Sequence, residues 1–220
     1  SLLQYSTSYK HVYNDNSDIL GGEFRNLLYL VQDFANQTDF RSFYKNNNKY
    51  YRKLESRQKK LQPIRKMWKW LEADFPQRYN SYKVIFSPLI EGSHSTQNFF
   101  KGSYQKPEFK ECLMFINSPE NIDFKSEYSE RIKEGIMSGI VFTEIDHNYV
   151  NPASADNIKA IRDLIKNKDL WATKNAQENY RTEYAIFNEY MTHSLFCLYV
   201  KENYKEKEGS EIVNQRIKLM

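Results

Sequence analysis

Two stretches of this chain are apolar on nearly every helical face and yet carry ionisable side chains. That combination constrains the fold more than anything else in the sequence. In the first, Ile132, Ile136 and Ile140 recur every four residues, and the row runs on through Glu144, with Thr143 and His147 beside it. The second, Tyr184-Ala185-Ile186-Phe187-Asn188-Glu189-Tyr190-Met191-Thr192-His193-Ser194-Leu195-Phe196, has no wide polar face. A helix apolar all round is buried. A carboxylate or imidazole inside it needs a partner, because an unpaired buried polar group costs about 1–3 kcal/mol. The two helices are therefore expected to pack together, with Glu189 satisfied by the polar cluster Thr143-Glu144-Ile145-Asp146-His147 of the first.

The remaining pattern is mostly helical. Phe24, Leu27, Leu28, Val31 and Phe34 predict an amphipathic helix over 22–36. Phe40, Phe43, Tyr44, Tyr51 and Leu54 carry the same period along a second, longer helix with a polar outer face. Pro63 suits the first turn of a third helix, whose inner stripe is Ile64, Met67, Trp68 and Leu71. Trp68 and Phe75 read as core packing. Tyr82-Lys83-Val84-Ile85-Phe86-Ser87, closed by Pro88, and Phe109 to Ile116 read as strands, with a polar loop from Glu91 to Asn98 between them. The motif helix starts near Glu127, and Asn151-Pro152 is expected to end it, since the residue before proline disfavours the α conformation. Ser154 would cap the next helix, with inner face Ile158, Ile161 and Ile165. A last long helix covers 176–204, and the charged tail, 205–220, is expected to fray.

These elements give a helix-rich α+β fold with a small mixed sheet. A single domain over 1–220 is expected, because the 7 Gly and 6 Pro are scattered and form no linker tract. The 17 Tyr and 14 Phe supply a core that a disordered chain lacks. The mean hydropathy of −0.79 reflects a surface of Lys, Asn, Glu and Tyr. No run approaches the ~20 apolar residues of a bilayer span. With 32 basic against 28 acidic residues the net charge is +4, too near balance to draw nucleic acid as a partner. The run Arg57-Gln58-Lys59-Lys60 reads as a solvated helix face. Cys112 and Cys197 allow either two free thiols or one disulfide. The chain opens on Ser1 rather than Met, with no signal peptide in its first residues, so a processed form is expected.

Thr143-Glu144-Ile145-Asp146-His147 has the spacing of a zincin helix. In the intact pattern, histidines at i and i+4 bind zinc, and the intervening glutamate activates the metal-bound water. Here Glu144 and His147 stand at the proper offsets, and Thr143 occupies the first histidine position. Together with Trp68-Lys69-Trp70-Leu71-Glu72, Phe86-Ser87-Pro88-Leu89, His147-Asn148-Tyr149-Val150-Asn151-Pro152 and Asn188-Glu189-Tyr190, this motif resembles a zincin-like family of unassigned function. That family is of gluzincin type and occurs in secreted or lipid-anchored proteins of gut Bacteroidetes.

The resemblance covers about 20–204 and implies a helix–sheet–helix architecture. It further implies Glu144 as general base, His147 and Glu189 as metal ligands, and zinc as cofactor. His193, four residues beyond Glu189, could replace the imidazole missing at Thr143. Asp146 is expected to face solvent or bond a neighbouring helix, or else to orient the His147 ring. His94 is expected at the surface, and His11 is assigned no role.

The resulting expectation is a divergent zinc metallopeptidase acting on peptides or proteins outside the cytoplasm, with any lipid anchor on a preceding segment. The alternative is a non-catalytic cell-surface module that binds peptide or glycan in the retained cleft. A third reading is a helical interaction protein in which Glu144, His147 and Glu189 form only a structural polar network.

Overall fold

A computed structural model describes residues 18–87, 94–102 and 107–219, without the side chains of 18–26, 107 and 120. His11, the Phe24 side chain, Pro88, Leu89 and the loop residues Glu91, Gly92 and Ser93 lie outside the described residues.

The N-terminal third is helical. Helix α1 (Asp18–Gln37) is followed by α2 (Phe40–Asn46), α3 (Asn48–Leu61) and α4 (Ile64–Asp74). The single long helix expected from Phe40 to Leu54 is two. The Asn47 side chain donates to the Phe43 carbonyl at 2.8 Å, offering that carbonyl a partner outside the helical ladder. Asp39 takes up left-handed geometry, φ 49°, and so separates α1 from α2. In α4 the expected stripe holds: Met67 and Leu71 are fully buried, with Ile64 and Trp68 packed against the same core.

Three strands follow: β1 (Ser81–Ser87), β2 (Ser95–Gly102) and β3 (Pro107–Asn117). They form one mixed sheet with β3 in the centre, parallel to β1 and antiparallel to β2. The second half of the expected polar loop is therefore strand β2. Phe99 is buried and Thr96 partly buried there, on opposite faces of the strand, a pattern too irregular for strand to be read from sequence. On β3, Cys112, Met114 and Ile116 turn to the core at the two-residue spacing of a strand.

After the single turn α5 (Glu120–Asp123) comes the central helix, α6 (Glu130–Asp156). Ser129 caps it by accepting from the Ile132 N–H. Pro152 does not end it, and Ser154 is a buried interior residue rather than a cap. Burial of Tyr149, Val150 and Ser154 on either side of the proline holds the turn helical against its local preference. Helix α7 (Ile158–Leu164) begins directly after Asn157. The expected helix over 176–204 is two, α8 (Lys174–Asn179) and α9 (Glu183–Asn203), because Tyr180 is extended and Thr182 caps α9 through the Ala185 N–H. The tail does not fray. Glu206–Ile217 forms α10, whose Ile212 and Arg216 are buried.

The core wraps around α6. Phe142 meets the rings of Trp70, Phe196 and Tyr199 at centroid distances of 5.8, 5.4 and 5.2 Å. Each such aromatic pair adds about 0.5–1.5 kcal/mol to the burial itself. Gly135 and Gly139 admit α10 and α9: a Cβ at Gly135 would collide with Ile212, and one at Gly139 with Arg216 and Phe196. Of the described residues 67% are helical, so the sheet is a minor partner laid on a helical core. Among the described residues no helix is long and apolar enough to cross a membrane.

Candidate functional site

The two polar-bearing helices pack on each other. His147 on α6 faces Glu189 on α9, with Nε2 3.4 Å from Oε1. Both side chains are about one-fifth exposed, so the pair reaches solvent and is not sealed in the core. The other ring nitrogen, Nδ1, lies 3.4 Å from Oδ1 of Asn151, one turn further along α6. A singly protonated ring can donate to one of these oxygens, and a doubly protonated ring to both.

Glu144 stands one turn before His147. Burial holds its carboxyl above the usual range; His147 opposes that shift and Glu189 adds to it. Two carboxylates thus share one imidazole. Tyr180, in the break between α8 and α9, closes the far side. Its hydroxyl is pushed up to about 12 by burial and by the Glu189 carboxylate it faces. Tyr180 carries no sequence signal, because it belongs to no periodic stretch. Asn151 could have been found, since it lies four residues after His147 and hence on the same face.

His193 lies one turn beyond Glu189. Its Nδ1 is buried without a hydrogen-bond partner. Burial, then Arg216 and His147, lower it to about 4. No hydrogen bond or ion pair among the described residues joins it to His147 or Glu189. With Glu189, Tyr180, Tyr190, Asn175 and Asn179 it lines a cavity of about 90 Å³, room for one side chain or a small polar group.

Asp146 corrects the expectation placed on it. It is fully buried, and neither carboxylate oxygen has a hydrogen-bond partner. Burial drives its carboxyl well above the usual range, with the nearby Arg216 guanidinium opposing. Burial in turn lowers Arg216 to about 10, with Asp146 opposing. Asp146 therefore looks to α10 and takes no part in orienting His147. His94 is half-buried, and burial with Arg216 lowers it. Both cysteines are free thiols; the Cys112 sulfur lies 2.8 Å from the Thr96 hydroxyl.

Zinc takes three protein ligands in catalytic sites and four in structural ones. Thr143 stands where the first imidazole would, and its hydroxyl donates to its own helix, to the carbonyls of Gly139 and Ile140 at 3.1 Å each. His147 and Glu189 remain as a facing pair. Among the described residues no group of three His, Cys, Asp or Glu side chains could hold a metal ion. This arrangement does not fit a zinc centre. It can hold a proton between imidazole and carboxylate, and it presents negative charge and hydrogen-bond acceptors to a ligand in the cleft. No family model, curated protein or solved structure matches this chain.

Proposed function

We propose that this chain is a zincin-like, metallopeptidase-derived domain that binds peptide in the cleft lined by Glu189 and His193, beside the contact of α6 and α9, without zinc-driven cleavage, outside the cytoplasm. The observation that carries this reading is the Thr143 hydroxyl at the first-ligand position, engaged by two carbonyls of its own helix. The general-base position, Glu144, and the acidic position on the second helix, Glu189, are both kept. Among the described residues no hydrogen bond to the Glu144 carboxyl is found, which leaves it to accept from the N–H groups of a peptide. A glycan is the second candidate ligand, favoured by the amide and phenol lining of the small cavity, Asn175, Asn179, Tyr180 and Tyr190.

The test is a binding screen of the purified protein on an array of casein-derived peptides and an array of glycans, with Glu144→Ala as control. Peptide binding that the control loses supports the reading; glycan binding alone moves it to the second candidate. Hydrolysis of casein, abolished by chelator, would instead make the chain a working zinc peptidase, with His193 as the replacement ligand.

A further inference from the structure

Among their described side chains, helices α1 and α2 bury almost nothing. Leu27, Leu30, Val31 and Phe34 fall at i, i+3, i+4 and i+7, one face of α1. All four are exposed, Phe34 by 58%. Of the described α1 side chains only Ala35 is buried. Helix α2 prolongs the same face: the Phe34 and Phe40 rings are 6.3 Å apart and those of Phe40 and Phe43 6.1 Å. Phe40 and Phe43 are themselves exposed. The result is one continuous apolar ridge.

The same region concentrates positive charge. Between Phe40 and Lys66 stand ten Lys and Arg residues and one acidic residue, Glu55. That is +9 within a chain whose total is +4, which leaves −5 for the remaining residues. On α3 the buried positions are Leu54, Gln58 and Leu61. The helical period then puts Lys49, Arg52, Lys53 and Lys60 on the outward side, where all four are exposed. No salt bridge among the described residues occupies any of these four; the partners near them serve Arg57 and Lys59.

Apolar ridge and cationic flank together decide between occupants. Bases of a nucleic acid stack on rings, but Leu27, Leu30 and Val31 have no π face and gain only by leaving water. A second copy would bring two such flanks of like charge together. An anionic bilayer supplies phosphates at its surface and hydrocarbon a few ångströms below, which matches both parts at once.

We infer that the outer surface of α1, α2 and α3 docks the protein on an anionic phospholipid surface. The α1–α2 ridge enters the interfacial layer, and the α3 cations contact the lipid phosphates. This surface is separate from the cleft and stands whether or not the cleft binds peptide.

The test is co-sedimentation of the full chain with vesicles of phosphatidylcholine alone and of phosphatidylcholine containing about one third phosphatidylglycerol. The expected result is binding to the anionic vesicles at least tenfold tighter than to the neutral ones, weakened when salt is raised from about 50 to about 500 mM. Each outward cation is worth about fivefold, so the triple change Lys49→Glu, Arg52→Glu, Lys53→Glu should weaken binding by about a hundredfold or more. Phe34→Ser with Phe43→Ser should remove the part of binding that survives high salt. All five positions are exposed, and unchanged thermal melting confirms that the variants fold. No binding to anionic vesicles, equal binding to both vesicle types, or tighter binding to a single-stranded oligonucleotide than to vesicles would each overturn the inference.

Discussion

Helices α1 and α6 are read from sequence by the same signal and end in opposite surroundings. Both carry apolar residues at helical spacing. Helix α6 buries Val141, Phe142, Ile145 and Tyr149 completely, while α1 leaves Leu27, Leu30, Val31 and Phe34 at the surface. Periodicity therefore tells which residues share a face, not what covers that face. The difference lies in the neighbours. Helix α6 is flanked by α4, α9, α10 and β3, whereas α1 is met chiefly by α2.

The sharpest way to break this comparison is a matched pair of truncations. Phe142→Ala should cost about 3–5 kcal/mol, because it empties a site enclosed by three aromatic rings. Phe43→Ala should change stability by no more than about 0.5 kcal/mol. Urea unfolding of both variants checks the contrast, and equal losses would mean that the N-terminal helices are part of the core. Ile212→Ala comes next, at about 2–5 kcal/mol, since α10 docks through Ile212 onto Gly135. A neutral outcome there would restore the frayed tail expected from charge alone.

That tail shows where the sequence stops being legible. Glu206 to Ile217 is charged enough to read as solvated, and its buried contacts depend on Gly135 and Gly139, some 70 residues earlier, making room for it. The packing of the two polar-bearing helices was legible from burial, and the facing of His147 and Glu189, 3.4 Å apart, from the zincin spacing that the sequence resembles. The α+β class, the α4 stripe and strands β1 and β3 were legible from period alone. Strand β2, the split at Asn47, helical continuation through Pro152 and the break at Tyr180 were not. Each is decided by a side-chain bond or by tertiary burial that overrides a local preference. Asp146 was misread for the same reason: its helix is apolar all round, so adjacency to His147 said nothing about which way it points.

A smaller effect is expected in the pH dependence. His193 is lowered to about 4 in the folded protein from an ordinary 6.5. The unfolded chain therefore binds the extra proton between those values, so this contribution is fully present above about pH 6.5 and fades as pH falls toward 4. Glu144 and Asp146, raised by burial, tilt stability the opposite way, so only a difference isolates the histidine. The melting temperature of His193→Gln relative to the parent should rise between pH 7 and pH 5. A constant difference would place His193 in solvent.

The smallest effect is expected from Glu144→Gln. It is nearly isosteric and removes a carboxylate held beside Glu189, so stability should stay within about 0.5 kcal/mol or rise slightly. A large loss would give Glu144 a structural bond that the cleft geometry does not contain.

The central proposal is that the site is zincin-like and that Thr143 leaves it without a ligand, and metal content tests it most directly. The parent protein and Thr143→His are purified without chelator, equilibrated with zinc, dialysed and analysed for bound metal. The account predicts far less than one equivalent in the parent and about one in Thr143→His, whose new imidazole would complete the set with His147 and Glu189. One tightly held equivalent in the parent would contradict it.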